Sequence, residues 1–297
     1  MSDYHLHLLP HGPMPDGAQP NEYPADYIDR YVEAALARGV TELGFTEHLY
    51  RCVESEPVLG SAWKLDRNPA LVDEMAEILR QERTLSLDRY VELILDARSR
   101  GLPVKLGIEV DFVPGTEAAV QELLAGYPFD YLIGSIHWMG AWNFMRPNAR
   151  EEYLRRGVDA AFAEYFALVA DLAGSGMVDV LGHADVIKVT GLTPQGDLAQ
   201  LHQPVVTAAA RSGTAVEVSS AGLRREAAET YPGPGFLRQF HEAGVPITLA
   251  SDAHLPEEAA WGHAEVVAAA RAAGYGHQLR FEGRRRIVVP LPEAAGA

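Results

Sequence analysis

The stretch Ser2-Asp3-Tyr4-His5-Leu6-His7 closes a short strand-like run on two imidazoles. Near the other end, Ile247-Thr248-Leu249-Ala250-Ser251-Asp252-Ala253-His254 closes a similar run on a carboxylate and an imidazole. Residues i and i+2 at a strand end face the same way, so each pair can serve one centre. Working inward, residues 25–38 carry helical spacing of Tyr27, Ile28, Tyr31, Val32, Ala35 and Leu36, and Gly39 stops them. A first strand over 2–6 is followed by predicted strands over 40–46, 104–110, 131–136, 178–181, 215–218 and 246–250. Further helices are predicted over 85–100, 116–124, 151–173, 198–211, 235–243 and 261–273. Alternation of this kind implies a parallel sheet, because parallel neighbours need a crossover between them. Seven units fit a closed (β/α)7 barrel better than an open sheet.

A parallel barrel gathers its C-terminal strand ends at one rim, where its active sites are built. His5, His7, His11, His48, Glu109, His137, His183, Asp252 and His254 fall at or just beyond such ends, and only the sixth strand supplies none. Closure makes the first and last strands neighbours, so the two flanking pairs would meet. Imidazole mixed with carboxylate suits zinc, iron or manganese and leaves positions open for water and substrate. Nine donors exceed the need of one ion, and three ions with shared ligands account for them. Seven of the eleven histidines used in this way point to a multinuclear metallohydrolase. His202, His241, His263 and His277 lie in or near predicted helices and read as surface or helix-packing residues; Tyr27 and Tyr31 read as core.

Composition narrows the partners. A chain of 297 residues with 47% hydrophobic and 22% charged side chains can bury a large core, and no repeat or linker divides it. A single domain over 1–297 is expected, with a long segment at about 51–84 that holds Pro57, Gly60, Trp63 and Pro69. Loops of that length are often functional lids. Against 41 acidic side chains stand 25 Lys and Arg, a net charge of −16, which disfavours a nucleic-acid partner. The run Arg284-Arg285-Arg286 beside Ile287-Val288-Val289 reads as a solvated strand flank. One cysteine, Cys52, excludes a disulfide framework and reads as a plain thiol. With no export signal or membrane-length apolar stretch, a soluble cytoplasmic protein is expected; its oligomeric state is left open. A P-loop, a GxGxxG turn, an HExxH helix and a GxSxG elbow are all missing from the sequence.

The motifs together carry a family resemblance. They run from Asp3-Tyr4-His5-Leu6-His7 through Gly44-Phe45-Thr46-Glu47-His48, Gly107-Ile108-Glu109-Val110-Asp111 and Ile133-Gly134-Ser135-Ile136-His137 to Gly182-His183-Ala184-Asp185, Gly222-Leu223-Arg224 and Ser251-Asp252-Ala253-His254. The chain resembles the PHP (polymerase and histidinol phosphatase) metallohydrolases, most of all their histidinol-phosphate phosphatase branch. The resemblance implies a distorted (β/α)7 barrel with two to three divalent metals (Zn, Fe or Mn) at the C-terminal strand ends. It also implies that His5, His7, Glu109 and Asp252 hold one metal. Glu109 would bridge to a second held by His137 and His183, and His11, His48 and His254 would hold a third. Around the sixth strand, Val216-Glu217-Val218-Ser219-Ser220-Ala221-Gly222 departs from the family's Asn-Thr-Ser-Gly pattern.

The activity expected from this resemblance is hydrolysis of a small phosphate monoester, L-histidinol phosphate, with activated water attacking phosphorus in line. Glu109, Asp252 and His254 are the catalytic candidates. Arg224, Arg225 and Lys188 are the candidates for binding the phosphoryl group, whose charge builds in the transition state. Trp138 and Trp142 could wall an imidazole pocket or simply pack in the core. The alternatives are a PHP-type phosphoesterase acting on a nucleotide or phosphotyrosine, and a noncatalytic metal-binding module.

Overall fold

The computed structural model describes residues 1–10, 21–59, 62–146 and 149–292. Its strands are β1 (Ser2–Leu6), β2 (Glu42–Phe45), β3 (Val104–Asp111), β4 (Tyr131–Ser135), β5 (Trp138–Met139), β6 (Trp142–Asn143), β7 (Val180–Leu181), β8 (Ala215–Ser219), β9 (Ile247–Ala250), β10 (His277–Glu282) and β11 (Arg285–Pro290). Seven of these form one parallel sheet in the order β1-β2-β3-β4-β7-β8-β9. The sheet curls until its first and last strands meet. Leu6 pairs in parallel with Ala253, and the His7 N–H donates to the Ala253 carbonyl at 2.8 Å. The fold is a distorted (β/α)7 barrel, as the alternation predicts.

Because helices cover its outer face and side chains fill its interior, the barrel strands are buried almost throughout. At the N-terminal end, the Tyr4 ring stacks on Tyr131 at 4.9 Å, and Phe281 of β10 stacks on Tyr131 at 5.4 Å. A side chain at Gly44 or Gly107 would collide with the Tyr131 ring, so both positions are restricted to glycine by close approach. The antiparallel β10–β11 hairpin thus plugs the barrel floor. Its turn is pinned by Arg284, whose Nε lies 2.6 Å from Asp179 Oδ2. The Gly283 N–H adds a bond to Asp130. Arg285 and Arg286 are exposed, as expected for a solvated strand flank; Arg285 pairs locally with Glu282 and Arg286 donates to the Gly213 carbonyl.

Two expectations need correction. The segment after β2 is not an open loop: it contains a helix over Pro69–Glu82, with short helical turns at Val53–Ser55, Glu56–Leu59 and Ala62–Leu65. Pro69 occupies the first helical turn behind an Asn68 cap, where a proline costs nothing. Met75, Ile78 and Leu79 bury this helix against the body. The long helix predicted over 151–173 is two helices, Ala149–Arg156 and Val158–Gly174, parted at Gly157 with φ 87°. His277 opens β10 and is exposed, in keeping with its reading as a surface histidine.

Among the described residues, no helix is long and apolar enough to cross a membrane. His202 does pack between helices: its ring stacks on Phe236 at 3.9 Å and meets Phe166 edge-on. Burial, helped by the Lys188 charge, pushes its pKa from the usual 6.5 down to about 4. The unfolded chain therefore takes up this proton first as pH falls, and stability is lost between about pH 6.5 and pH 4. His202→Gln is expected to flatten the decline in urea-unfolding free energy over that window. An equal decline in both proteins would contradict this account.

Candidate metal centre

Six of the seven barrel strands bring donors to one cluster at the C-terminal rim. β1 brings His5 and His7, both fully buried, and the turn after β2 brings Glu47 and His48. β3 carries Glu109, the loops after β4 and β7 carry His137 and His183, and the turn after β9 carries Asp252 and His254. Glu109 stands at the centre. Its Oε2 lies 2.6 Å from His48 Nδ1 and 3.7 Å from His7 Nε2. Its Oε1 lies 3.1 Å from His183 Nε2, 3.4 Å from His5 Nε2 and 3.7 Å from His137 Nε2. Asp252 Oδ1 closes the barrel seam at 3.4 Å from His7 Nε2, 3.9 Å from His5 Nε2 and 3.7 Å from His254 Nδ1. Eight of the nine candidates thus converge; His11 lies outside the described residues.

Two of these residues hold unusual backbones. His183 has φ 22° and Asp252 φ 53°, in the left-handed region that side chains other than glycine rarely occupy. Such strain persists only where surrounding bonds over-determine it, and it clusters at functional sites. At the Asp252 turn those bonds are visible. The Asp3 carboxylate accepts from the Ser251 N–H at 2.9 Å, the Ser251 hydroxyl at 2.6 Å and the Ala260 N–H at 2.8 Å. Arg224 donates to the carbonyls of Ser251 at 2.7 Å and Asp252 at 3.2 Å.

The electrostatics are those of buried imidazoles and carboxylates that hold one another charged. Burial alone would raise the Glu109 carboxyl, yet His48, His5 and His137 around it hold it well below the usual carboxylate range. Asp252 is lowered in the same way, against its burial, by His5, His7 and His254. Burial would lower His137, but Glu109 and Asp111 lift it to about 9. Burial drives His48 down despite Glu109. Four groups bring ligand atoms within 4.8 Å of one another: His5, His7 and Asp252; His5, Glu109 and His183; His7, His48 and His254; and His48, Asp111 and His137. His5 Nε2 and His7 Nε2 are buried, make no hydrogen bond and face the carboxylates, an arrangement that fits a bound cation.

Several contacts were not read from the sequence. Glu217 on β8, the strand expected to supply nothing, places Oε2 2.7 Å from His5 Nδ1 and accepts the His183 N–H at 2.8 Å through Oε1. Asp111 Oδ1 lies 2.6 Å from His137 Nδ1. Glu47 accepts the N–H groups of Leu8 and Leu9, each at 3.0 Å, and lies 3.5 Å from His7 Nδ1. A usable signal existed for Asp111, two residues beyond Glu109 on the same strand face. Glu217 offered another: an acidic residue between two valines of a strand buried on both sides.

The basic candidates differ in their surroundings. Lys188 Nζ is 2.7 Å from Asp185 and 2.7 Å from Glu229, and it sits over the Tyr231 ring at 5.2 Å. Arg224 also pairs with Glu258 at 3.1 Å and stacks its guanidinium on Trp261. Arg225 is exposed and has no ion pair among the described residues. Trp138 packs edge-on to Tyr50 at 4.8 Å beside His137, and Trp142 packs on Tyr153 at 4.6 Å. The Cys52 thiol is fully buried and burial pushes its pKa up, which suits an inert thiol.

A PHP domain model matches residues 23–221, and the chain belongs to that family. The matched range includes His48, Glu109, His137 and His183, while the two seam pairs flank it. A curated relative from Deinococcus radiodurans, named a probable histidinol-phosphatase, is 35% identical over 257 residues, covering 86% of this chain and 90% of the relative. Among solved structures, the histidinol phosphate phosphatase of Lactococcus lactis, complexed with zinc, L-histidinol and phosphate, superposes with a TM-score of 0.71. It shares 20% identity, covering 96% of this chain and 98% of that one. The putative histidinol phosphatase of Listeria monocytogenes gives a TM-score of 0.68 at 17% identity, covering 89% and 99%. At these identities the solved structures speak for the shared fold.

A cation that binds only the folded cluster stabilises it by mass action. Zinc at roughly a hundred times its Kd should add about 2.7 kcal/mol per site. Thermal unfolding should therefore move upward with zinc and return with a chelator; a midpoint indifferent to both would contradict the metal-centre reading.

Proposed function

We propose that the protein is a metal-dependent phosphomonoester hydrolase that converts L-histidinol phosphate and water to L-histidinol and phosphate, a step of histidine biosynthesis. The observation that carries this reading is the convergence on Glu109 of five imidazoles from four different strand ends, with Asp252 and His254 completing the ring. Family membership and the 35% identical relative support the choice of substrate.

His5, His7, His48, Glu109, His137, His183, Asp252 and His254 would hold two or three divalent ions of zinc, iron or manganese, with His11 as a ninth ligand. Bound metal lowers the pKa of water and stabilises the entering and leaving oxygens of an in-line displacement. The chain's own residues do the rest. Glu109 and Asp252, kept ionised by the imidazoles around them, supply fixed negative charge at neutral pH. His254 stands beside Asp252, with Nδ1 3.7 Å from its Oδ1. Arg225, exposed on the loop after β8, is the cation readiest to meet a phosphoryl group. Arg224 and Lys188 would have to exchange their carboxylate partners for phosphate oxygens. Arginine is suited to this, because its fork matches two phosphate oxygens at once. A small phosphorylated substrate fits the acidic balance of the chain better than a polyanion. The lone buried thiol fits a cytoplasmic location.

Protein purified with its metals should release phosphate from L-histidinol phosphate and contain two to three transition-metal ions per chain. In a panel of phosphate monoesters, nucleotides and phosphotyrosine, kcat/KM should favour histidinol phosphate. Full activity in protein shown metal-free by elemental analysis would end the proposal. Arg224→Ala should lower phosphomonoester turnover by roughly a hundredfold or more, and unchanged kinetics would remove Arg224 from the clamp.

A further inference from the structure

We propose that Glu217 is a positioning residue that sets two arms of the metal centre at once, by orienting the ring of His5 and holding the backbone of His183. The role rests on the metal-centre reading above but assigns a residue outside the ligand set.

Glu217 lies on β8 with its side chain completely buried, and each of its oxygens has a different task. Oε2 sits 2.7 Å from His5 Nδ1 and Oε1 accepts the His183 N–H at 2.8 Å. A carboxylate only accepts, so the proton of a neutral His5 must reside on Nδ1. That leaves the lone pair of Nε2 directed at the cluster, 3.4 Å from Glu109 Oε1 and 3.9 Å from Asp252 Oδ1. A carboxylate behind a ligating imidazole fixes its tautomer and raises its basicity.

The second bond acts on geometry. His183 stands at φ 22°, a conformation its side chain does not favour, and its N–H is tied to Glu217. From there its Nε2 reaches to 3.1 Å from Glu109 Oε1 and 3.3 Å from His137 Nε2. His5 and His183 therefore approach the same oxygen of Glu109 from two strands, and a single side chain on β8 fixes both. Burying a carboxylate costs several kcal/mol unless charge and hydrogen bonds compensate it. A well-packed apolar residue would serve the barrel wall at less cost, so the acid is explained by what it orients.

Glutamine tests this without removing bulk. It can still accept from the His183 N–H, but its amide N–H2 then faces His5 Nδ1. Donor meets donor unless His5 moves its proton to Nε2, where it can no longer bind a metal. Wild type and Glu217→Gln should be titrated with zinc against a competing chelator, and the His5 ring followed by 15N NMR in the zinc-loaded proteins. Zinc affinity in E217Q is expected to fall by about 10–100-fold, with the melting temperature of the zinc-free protein little changed. Glu217→Asp, which keeps both acceptors, should recover part of the affinity. Wild-type His5 should bind through Nε2 with its proton on Nδ1. Wild type that binds zinc beside an E217Q that binds it equally tightly would sink the role of Glu217 alone. Wild-type His5 bound through Nδ1 would sink it too, a result that stands even should E217Q not fold. Wild type that binds no zinc would sink the metal centre and this role with it.

Discussion

Glu109 is completely enclosed on β3 and has imidazoles from the ends of β1, β2, β4 and β7 within 3.7 Å of its two oxygens. A lone carboxylate in such a place would be neutralised, since burial of an unpaired charge costs more than taking up a proton. Here the surrounding rings carry it below the usual carboxylate range instead. The imidazoles are in turn constrained from behind by Glu217 and Asp111. The result is a nest of acceptors and lone pairs that cannot satisfy one another by hydrogen bonds alone. His5 Nε2 and His7 Nε2 are the clearest cases. A barrel can hold such a nest because its seven strand ends are fixed independently, by the sheet on one side and the helices on the other.

The two ends of the barrel divide the work. At the floor, Tyr4, Tyr131 and Phe281 stack into an apolar plug, and the Tyr131 hydroxyl donates to the Tyr4 carbonyl at 2.9 Å. At the rim, buried acids bind backbone N–H groups: Asp3 the turn at Ser251, Glu47 the chain at Leu8 and Leu9, Glu217 the chain at His183. Tyr31 adds a 2.6 Å bond to the His7 carbonyl, so a residue read as core also steadies a rim residue. The segment after β2 joins this rim. Glu82 at the end of its helix takes the Tyr50 hydroxyl and Arg146, each at 2.6 Å, and Asp66 takes the Ala141 N–H at 2.9 Å. It thereby ties the region around His48 to the β5–β6 hairpin that follows His137.

The barrel was legible because strand-helix alternation is a local pattern, repeated often enough to leave few topologies open. The convergent donors were legible because histidine is scarce and its spacing at strand ends is hard to explain otherwise. What escaped reading is long-range or ambiguous. Glu217 looks like any acid in a strand until the sheet brings it to His5, 212 residues away. Pro69 marks a helix start as readily as a break, and Asn68 decides between them only once its side chain is seen to cap. Gly157 parts two helices whose apolar periodicity runs on across it, and a single glycine is often tolerated inside a helix. Arg224 and Lys188 were visible as charges, but their carboxylate partners were not.

On this reading, side chains from all around the rim would share a small group of cations. Anomalous diffraction from crystals of the zinc-loaded protein tests it most directly. Two or three zinc peaks are expected, each about 2.0–2.2 Å from imidazole nitrogens or carboxylate oxygens of His5, His7, His48, Glu109, His137, His183, Asp252 and His254. A map with zinc only at surface histidines, or with none inside the ring around Glu109, would contradict it.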